Sequence, residues 1–272
     1  MANKSIVNNE KLNALAQEIA AKSGASLPMT VDEMTQAVSE IPEGGGDDLL
    51  TIRTAGEPYT YTNDEITVLP AYAFYYDGCL TEIRLGEVIN LEEHVFDSCE
   101  SLTQVDAPNL ETIGDYAFAF CIGLSSIDLD NVTSVGMCSF GCMGPEAVPE
   151  ITEFVMPKCW NVFDFAFCGN ADEPYTTYWP MTKLDIGTEG VNRSAYINKG
   201  ALFALNEWAA EQGGNGTLII RFNRCAVLQN DSLSNYPNVT VYVPDSLVAS
   251  YQTDSGWEDA PNQIKGLSEL PA

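Results

Sequence analysis

The sequence predicts an α/β solenoid: an array of about 22-residue repeats with a parallel sheet on one face, an N-terminal helical hairpin and a C-terminal cap. Three observations predict it. Phe74, Phe96, Phe118 and Phe140 recur every 22 residues. Ile66, Val88, Leu110 and Val132 keep the same step, as do Leu69, Leu91, Ile113 and Val135 and the shorter column Leu80, Leu102 and Leu124. Each repeat also closes on a segment of alternating apolar and polar residues, the period-2 signature of a strand. Such a unit buries its apolar face only against its neighbours.

Residues 1–41 read as the helical hairpin. Leu12, Leu15 and Ile19 share one helical face with Ala16, and Ser23-Gly24 ends that helix. Thr30 to Glu33 is a capping-box pattern for a second helix, whose stripe is Met34, Ala37, Val38 and Ile41. A hairpin this small carries little core of its own, so it is expected to serve attachment or oligomerisation. Residues 42–48 are a Gly-rich linker, and residues 49–65 are expected to supply capping strands.

The repeats occupy residues 66–190. Their strands are expected at 80–85, 102–107, 124–129, 151–156 and 181–186, stacked in parallel. Beyond them, residues 191–272 hold the last repeats and the cap. Within this stretch, 200–211 is an amphipathic helix stopped by Gly213-Gly214, and 217–222 and 239–243 read as strands. A short helix follows Pro244, and Trp257 and Ile264 complete the closing segment.

Charge excludes several functions. The formal net charge is −27, from 12 basic and 39 acidic residues, and no basic stripe is present to displace counterions from nucleic acid. An anionic membrane would repel the chain, and no apolar run approaches the ~18 residues needed to span a bilayer. The first residues show no apolar segment or cleavage site of a secretory signal. The eight cysteines are therefore expected as buried thiols in a cytoplasmic setting. Cys99, Cys121 and Cys142 stand near one position of successive repeats, which suits a packing ladder. Only Cys138 and Cys142 have zinc-like spacing, and Cys138 falls in the column of Tyr116 and His94. No metal and no cofactor are expected.

Enzyme motifs are absent, including phosphate loops, dinucleotide fingerprints, HExxH and GxSxG. His94 is the single histidine and takes a column position otherwise held by Tyr72 and Tyr116. It reads as a packing residue, and the chain is expected not to be an enzyme.

Two surfaces are candidates for binding. The open face of the sheet carries hydroxyls and the charged residues Arg84, Asp106, Asp128 and Asp185, and solenoids bind extended partners on such faces. The second candidate is an insertion. The step from Phe74, Phe96 and Phe118 to the next strand's first apolar residue is six positions, but it is eleven from Phe140 to Ile151 and fourteen from Phe167 to Met181. Both extensions enter at the same point of the repeat and should emerge on one edge. The longer one carries Asp172, Glu173, Tyr175, Tyr178 and Trp179, a mixture suited to sugar or protein contact. Tyr178 and Trp179 would equally well cover the core beneath them.

The unit Tyr116-Ala-Phe118, then Cys121, then Leu124-x-x-Ile127-x-Leu129, resembles the BspA-type leucine-rich repeat. The resemblance covers about residues 66–186 and implies a leucine-rich repeat array that binds rather than catalyses. Residues 242–251, with Trp257 and 263–265, look like the closing segment common in that family. Residues 11–19 and 28–34 look like the small helical module that opens many tail-associated proteins of phages. Together these resemblances imply a non-enzymatic virion protein, tail- or capsid-associated, assembled in the host cytoplasm. It would contact other virion proteins or its own copies through the hairpin, and a host surface protein or glycan through the array. The alternative is a BspA-like adhesin or interaction protein at the bacterial cell surface.

Overall fold

Each 22-residue step folds as one turn of a solenoid, and each turn supplies two strands. The computed structural model describes residues 58–141, 150–168, 178–229 and 231–271. All belong to one unit, Leu50–Ala272. The hairpin stripe Leu12, Leu15, Ile19, Met34 and Val38, the 42–48 linker and the insertion residues Asp172, Glu173 and Tyr175 lie outside the described residues.

On the front face, β1 (Tyr59–Asn63), β3 (Leu80–Leu85), β5 (Gln104–Asp106) and β7 (Ser126–Ile127) form a parallel four-stranded sheet in that order. A second front sheet, five-stranded, contains β9 (Glu153–Met156), β11 (Lys183–Ile186), β13 (Gly216–Ile220), β15 (Val239–Val243) and β16 (Ile264–Gly266). The repeat period predicts one front sheet, so the interruption between β7 and β9 is a departure. Its local sign is strand length, which falls from six residues in β3 to three in β5 and two in β7 before the break.

A back sheet runs through the break. Its seven strands have two residues each: β2 (Val68–Leu69), β4 (Asn90–Leu91), β6 (Thr112–Ile113), β8 (Ser134–Val135), β10 (Asn161–Val162), β12 (Tyr196–Ile197) and β14 (Val227–Leu228). In each, the second residue is buried and the first is more exposed. The column Leu69, Leu91, Ile113 and Val135 is thus the inner row of this sheet. β8 pairs with β10 in the same register as its neighbours, Asn161 opposite Ser134.

The core between the faces is an aromatic stack. Phe74, Phe96, Phe118, Phe140 and Phe167 lie ring on ring, with centroids 5.3–5.5 Å apart and planes within 17°. All five are buried to 1% exposure or less, so the stack is the spine of the array. Inner positions of the front strands complete it: Tyr61, Ile83 and Val105 in one sheet, Phe154, Leu184, Leu218 and Val241 in the other.

The turn before each stacked Phe is unusual. Tyr72, His94, Tyr116, Cys138 and Phe165 all have positive φ, between 51° and 64°. Bulky residues rarely adopt this left-handed region, which costs roughly 1–2 kcal/mol per residue. A ladder of backbone bonds holds three of them there: Tyr72 N–H donates to the Glu93 carbonyl, His94 to Asp115 and Tyr116 to Met137, at 2.8–3.0 Å. Tyr72, His94 and Tyr116 stack as well, with centroids 4.8 and 4.7 Å apart.

The thiols join the packing. Cys99 Sγ donates to the Phe74 carbonyl at 2.9 Å and Cys121 Sγ to the Phe96 carbonyl at 3.1 Å, one repeat back in each case. No disulfide links the seven described cysteines. After the repeats, α1 (Lys199–Gln212) buries Leu202 and Leu205, and Gly213 ends it at φ 67°. Trp257 is buried, with its indole N–H donated to the Ala226 carbonyl at 2.9 Å.

Candidate functional site

The front face is built by two hydrogen-bond ladders. Along the backbone, Thr103 N–H donates to the Thr81 carbonyl, Ser125 to Thr103, Thr182 to Thr152 and Thr217 to Thr182. Along the side chains, Thr81 donates to the Tyr59 carbonyl, Thr103 to Thr81, Ser125 to Thr103 and Thr182 to Thr152, all at 2.9–3.0 Å. The hydroxyl column read from the sequence therefore buttresses the sheet and spends its protons on backbone carbonyls. Both ladders omit one step: among the described residues, no bond joins Thr152 to Ser125.

At that omitted step lies a cleft of about 480 Å³ between the two front sheets. Residues 125–130 form one wall; Glu150, Ile151, Thr152, Glu153 and Val155 form the other. The front-row Ile127 is partly exposed here, whereas its counterparts Ile83 and Val105 are 0% and 2% exposed. Four carboxylates rim the cleft: Asp128, Asp130, Glu150 and Glu153. Glu153 pairs with Lys183 across β9 and β11, and the Asp130 N–H donates to Asp128 Oδ1 at 2.9 Å.

The predicted site residues separate into accessible and occupied groups. Arg84 and Asp106 are exposed and face each other in register, with Thr62 completing the row. Arg84 lies 3.8 Å from Glu82 on its own strand. Asp128 is exposed and lies just past β7, on the cleft wall. Asp185 is different, being 8% exposed and clamped by Arg221, whose Nε and Nη2 donate to its two oxygens at 2.7 Å each. Such a bidentate pair is among the stronger charge-assisted contacts and leaves little of this carboxylate for a partner.

At the aromatic end of the longer insertion, Trp179 lies in the core and not on the surface. Trp179 is fully buried, and its indole N–H donates to the Ile151 carbonyl at 2.7 Å. Its ring packs edge-on against Phe140 and Phe154. The expectation that Trp179 meets a partner is corrected: the large apolar ring gains more by packing edge-on against Phe140 and Phe154 in the core. Tyr178 is half-buried and donates its hydroxyl to Glu211 of α1. Burial, with Glu211 alongside, raises its phenol pKa. An antiparallel bridge between Cys168 and Tyr178 ties the base of this insertion.

Catalytic groupings do not assemble around His94. Its Nδ1 lies 2.7 Å from Asp97 Oδ2, and Ser98 Oγ donates to the other Asp97 oxygen at 2.8 Å. The serine thus engages the carboxylate and not the imidazole, the reverse of what an activated nucleophile needs. Among the described residues, no three His, Cys, Asp or Glu side chains converge to hold a metal ion. No described helix is long and apolar enough to cross a membrane.

Sequence reasoning placed Thr152 in the outward hydroxyl row of the open face but missed Asp130, Glu150 and Glu153 as site residues. The signal for them was the eleven-residue step from Phe140 to Ile151, which marks the break without saying which edges it uncovers.

Residues 67–170 match the family described as BspA type Leucine rich repeat region, in six copies. No curated protein matches the sequence. Among solved structures, the T. pallidum leucine-rich repeat protein TpLRR is similar at 14% identity, over 78% of this chain and 86% of that one, with a TM-score of 0.38. A leucine-rich cell surface protein from Faecalibacterium prausnitzii A2-165 is similar at 14% identity, over 69% of each chain, with a TM-score of 0.29.

Proposed function

We propose that this chain is a non-catalytic binding protein of the BspA-like interaction or adhesin kind, which takes protein or glycan partners on the front face of its repeat array. The observation that carries the reading is the exposed row Thr62, Arg84 and Asp106, held at the regular strand spacing over a closely stacked core. A rigid, acidic, hydroxyl-rich surface with its main chain already paired suits recognition at low ordering cost. Residues 191–272 are read as the segment that closes the array, and residues 1–41 as an attachment module.

The virion placement yields to this reading. It rests on the resemblance of residues 11–34, which lie outside both the described residues and the family match. Location at a bacterial surface is the placement that fits an adhesin, and it stands on the family resemblance of the repeats.

The test is an array of surface proteins and glycans probed with the chain and with an Arg84→Ala, Asp106→Ala variant. Binding that falls in the variant while its thermal transition is unchanged supports the reading. Unchanged binding, or product release from a bound glycan, contradicts it.

A further inference from the structure

We propose that the interruption between β7 and β9 is a docking slot for an extended lysine- or arginine-bearing segment of a partner protein, added as a strand to the free edge of β9. The slot deepens the reading of the array as a binding surface and rests on it.

Free strand edges carry the inference. At each neighbouring step the carbonyl at the Thr81, Thr103 and Thr152 positions accepts from the next strand. At the break, Ser125 supplies that carbonyl and Thr152 supplies that N–H, and no bond joins them. A sheet edge is a template for another chain, and proteins ordinarily cover or shorten such edges. Here the shortened strand is β7, with two residues, whereas β9 keeps four. The back sheet and the phenylalanine stack run on beneath, Asn161 opposite Ser134 and Phe167 on Phe140. The two edges are therefore held by a continuous core.

The chemistry of the walls selects the occupant. Ile127 and the 48%-exposed Val155 offer apolar contacts, while Asp128, Asp130 and Glu150 offer carboxylates beside the Lys183-paired Glu153. Alternate side chains of an added strand point to opposite faces, so apolar residues alternating with basic ones satisfy both. An acidic segment meets Asp128, Asp130 and Glu150 in a chain of net charge −27 and is repelled.

The test titrates a labelled alternating lysine–valine hexapeptide into the full chain, followed by anisotropy and by amide hydrogen exchange. A lysine–proline hexapeptide of equal charge is the control, since proline has no N–H to donate to a strand edge. The slot predicts slowed exchange at Thr152 and Glu153 with lysine–valine, and about tenfold or more weaker binding of lysine–proline. It also predicts a loss of about tenfold or more in the Asp128→Asn, Glu150→Gln variant. Equal binding of the two peptides, unchanged exchange at Thr152, or protection of Thr152 by calcium or by a second copy of the chain would overturn it. The slot is read at Thr152 and the front row at Arg84 and Asp106, so either proposal can fail alone.

Discussion

The indole N–H of Trp179 donates to the carbonyl of Ile151 at 2.7 Å. This bond ties the end of the longer insertion to the residue that leads into β9. Ile151 also lines the cleft, so the irregularity at one repeat is braced by the irregularity at the next.

Trp179→Ala is expected to destabilise the chain by about 3–5 kcal/mol, the usual range for deleting a buried tryptophan. Urea unfolding measures it. Trp179→Phe should lose less, because it keeps apolar volume beside Phe140 and Phe154 and gives up the indole bond. A Trp179→Ala variant of unchanged stability with weakened partner binding would restore the contact role set aside above.

Left-handed turns give a reversal of the ordinary order of alanine and glycine. Tyr116 has φ 57° and stacks on His94. Both Tyr116→Ala and Tyr116→Gly lose the stack, but only alanine retains the left-handed cost. Tyr116→Gly should therefore be more stable than Tyr116→Ala by about 1 kcal/mol, where a strand or helix interior would give the opposite sign. Equilibrium denaturation of the pair decides it.

The phenylalanine spine should behave as a unit. Phe118 lies 5.3 Å from both Phe96 and Phe140. Phe118→Ala is expected to cost about 3–5 kcal/mol, and Phe118→Leu less. Because Phe96 and Phe118 touch, a double Phe96→Leu, Phe118→Leu variant should deviate from additivity by about 0.5 kcal/mol or more. Strict additivity in a double-mutant cycle would argue against ring stacking as a coupled interaction.

Thiol titration supplies a pH test. Burial pushes the Cys159 thiol from its ordinary 9.0 up to about 12 and raises Cys121 well above its ordinary range. A raised acid pKa means that the native state holds its proton where the unfolded state has released it. The sign follows: this stability is intact below about pH 9 and is lost as pH rises toward 12, at up to about 1.4 kcal/mol per pH unit for each such thiol. Thiol-reactive dye should label the partly exposed Cys79 and Cys225 first, and the buried Cys99, Cys121 and Cys159 only on unfolding.

Much of this fold was legible in the residues. The column of Phe74, Phe96, Phe118 and Phe140 states the repeat length, and inward rows such as Leu80, Ile83 and Leu85 follow from alternation. The back sheet was not legible as strands, because two residues such as Val68–Leu69 are too few to show alternation, although Leu69, Leu91, Ile113 and Val135 keep the repeat step. Nor could spacing say whether Tyr178 and Trp179 face outward. A tryptophan serves a binding loop and a core equally well, and only the packing of Trp179 against Phe140 and Phe154 decides it. The step from Phe140 to Ile151 located the break. That the break opens the front sheet and spares the back one depends on the pairing of β8 with β10, which the sequence does not display.

Amide hydrogen exchange of the unliganded chain at Thr152, compared with Thr182 and Ser125, tests the interrupted front sheet most directly. Thr182 and Ser125 donate to the preceding strand, and Thr152 does not bond to Ser125. Thr152 is expected to exchange on the order of a hundredfold faster than the other two, as an amide outside the cooperative ladder does. Equal protection at all three would mean that β9 pairs with β7 and that the array has no open edge.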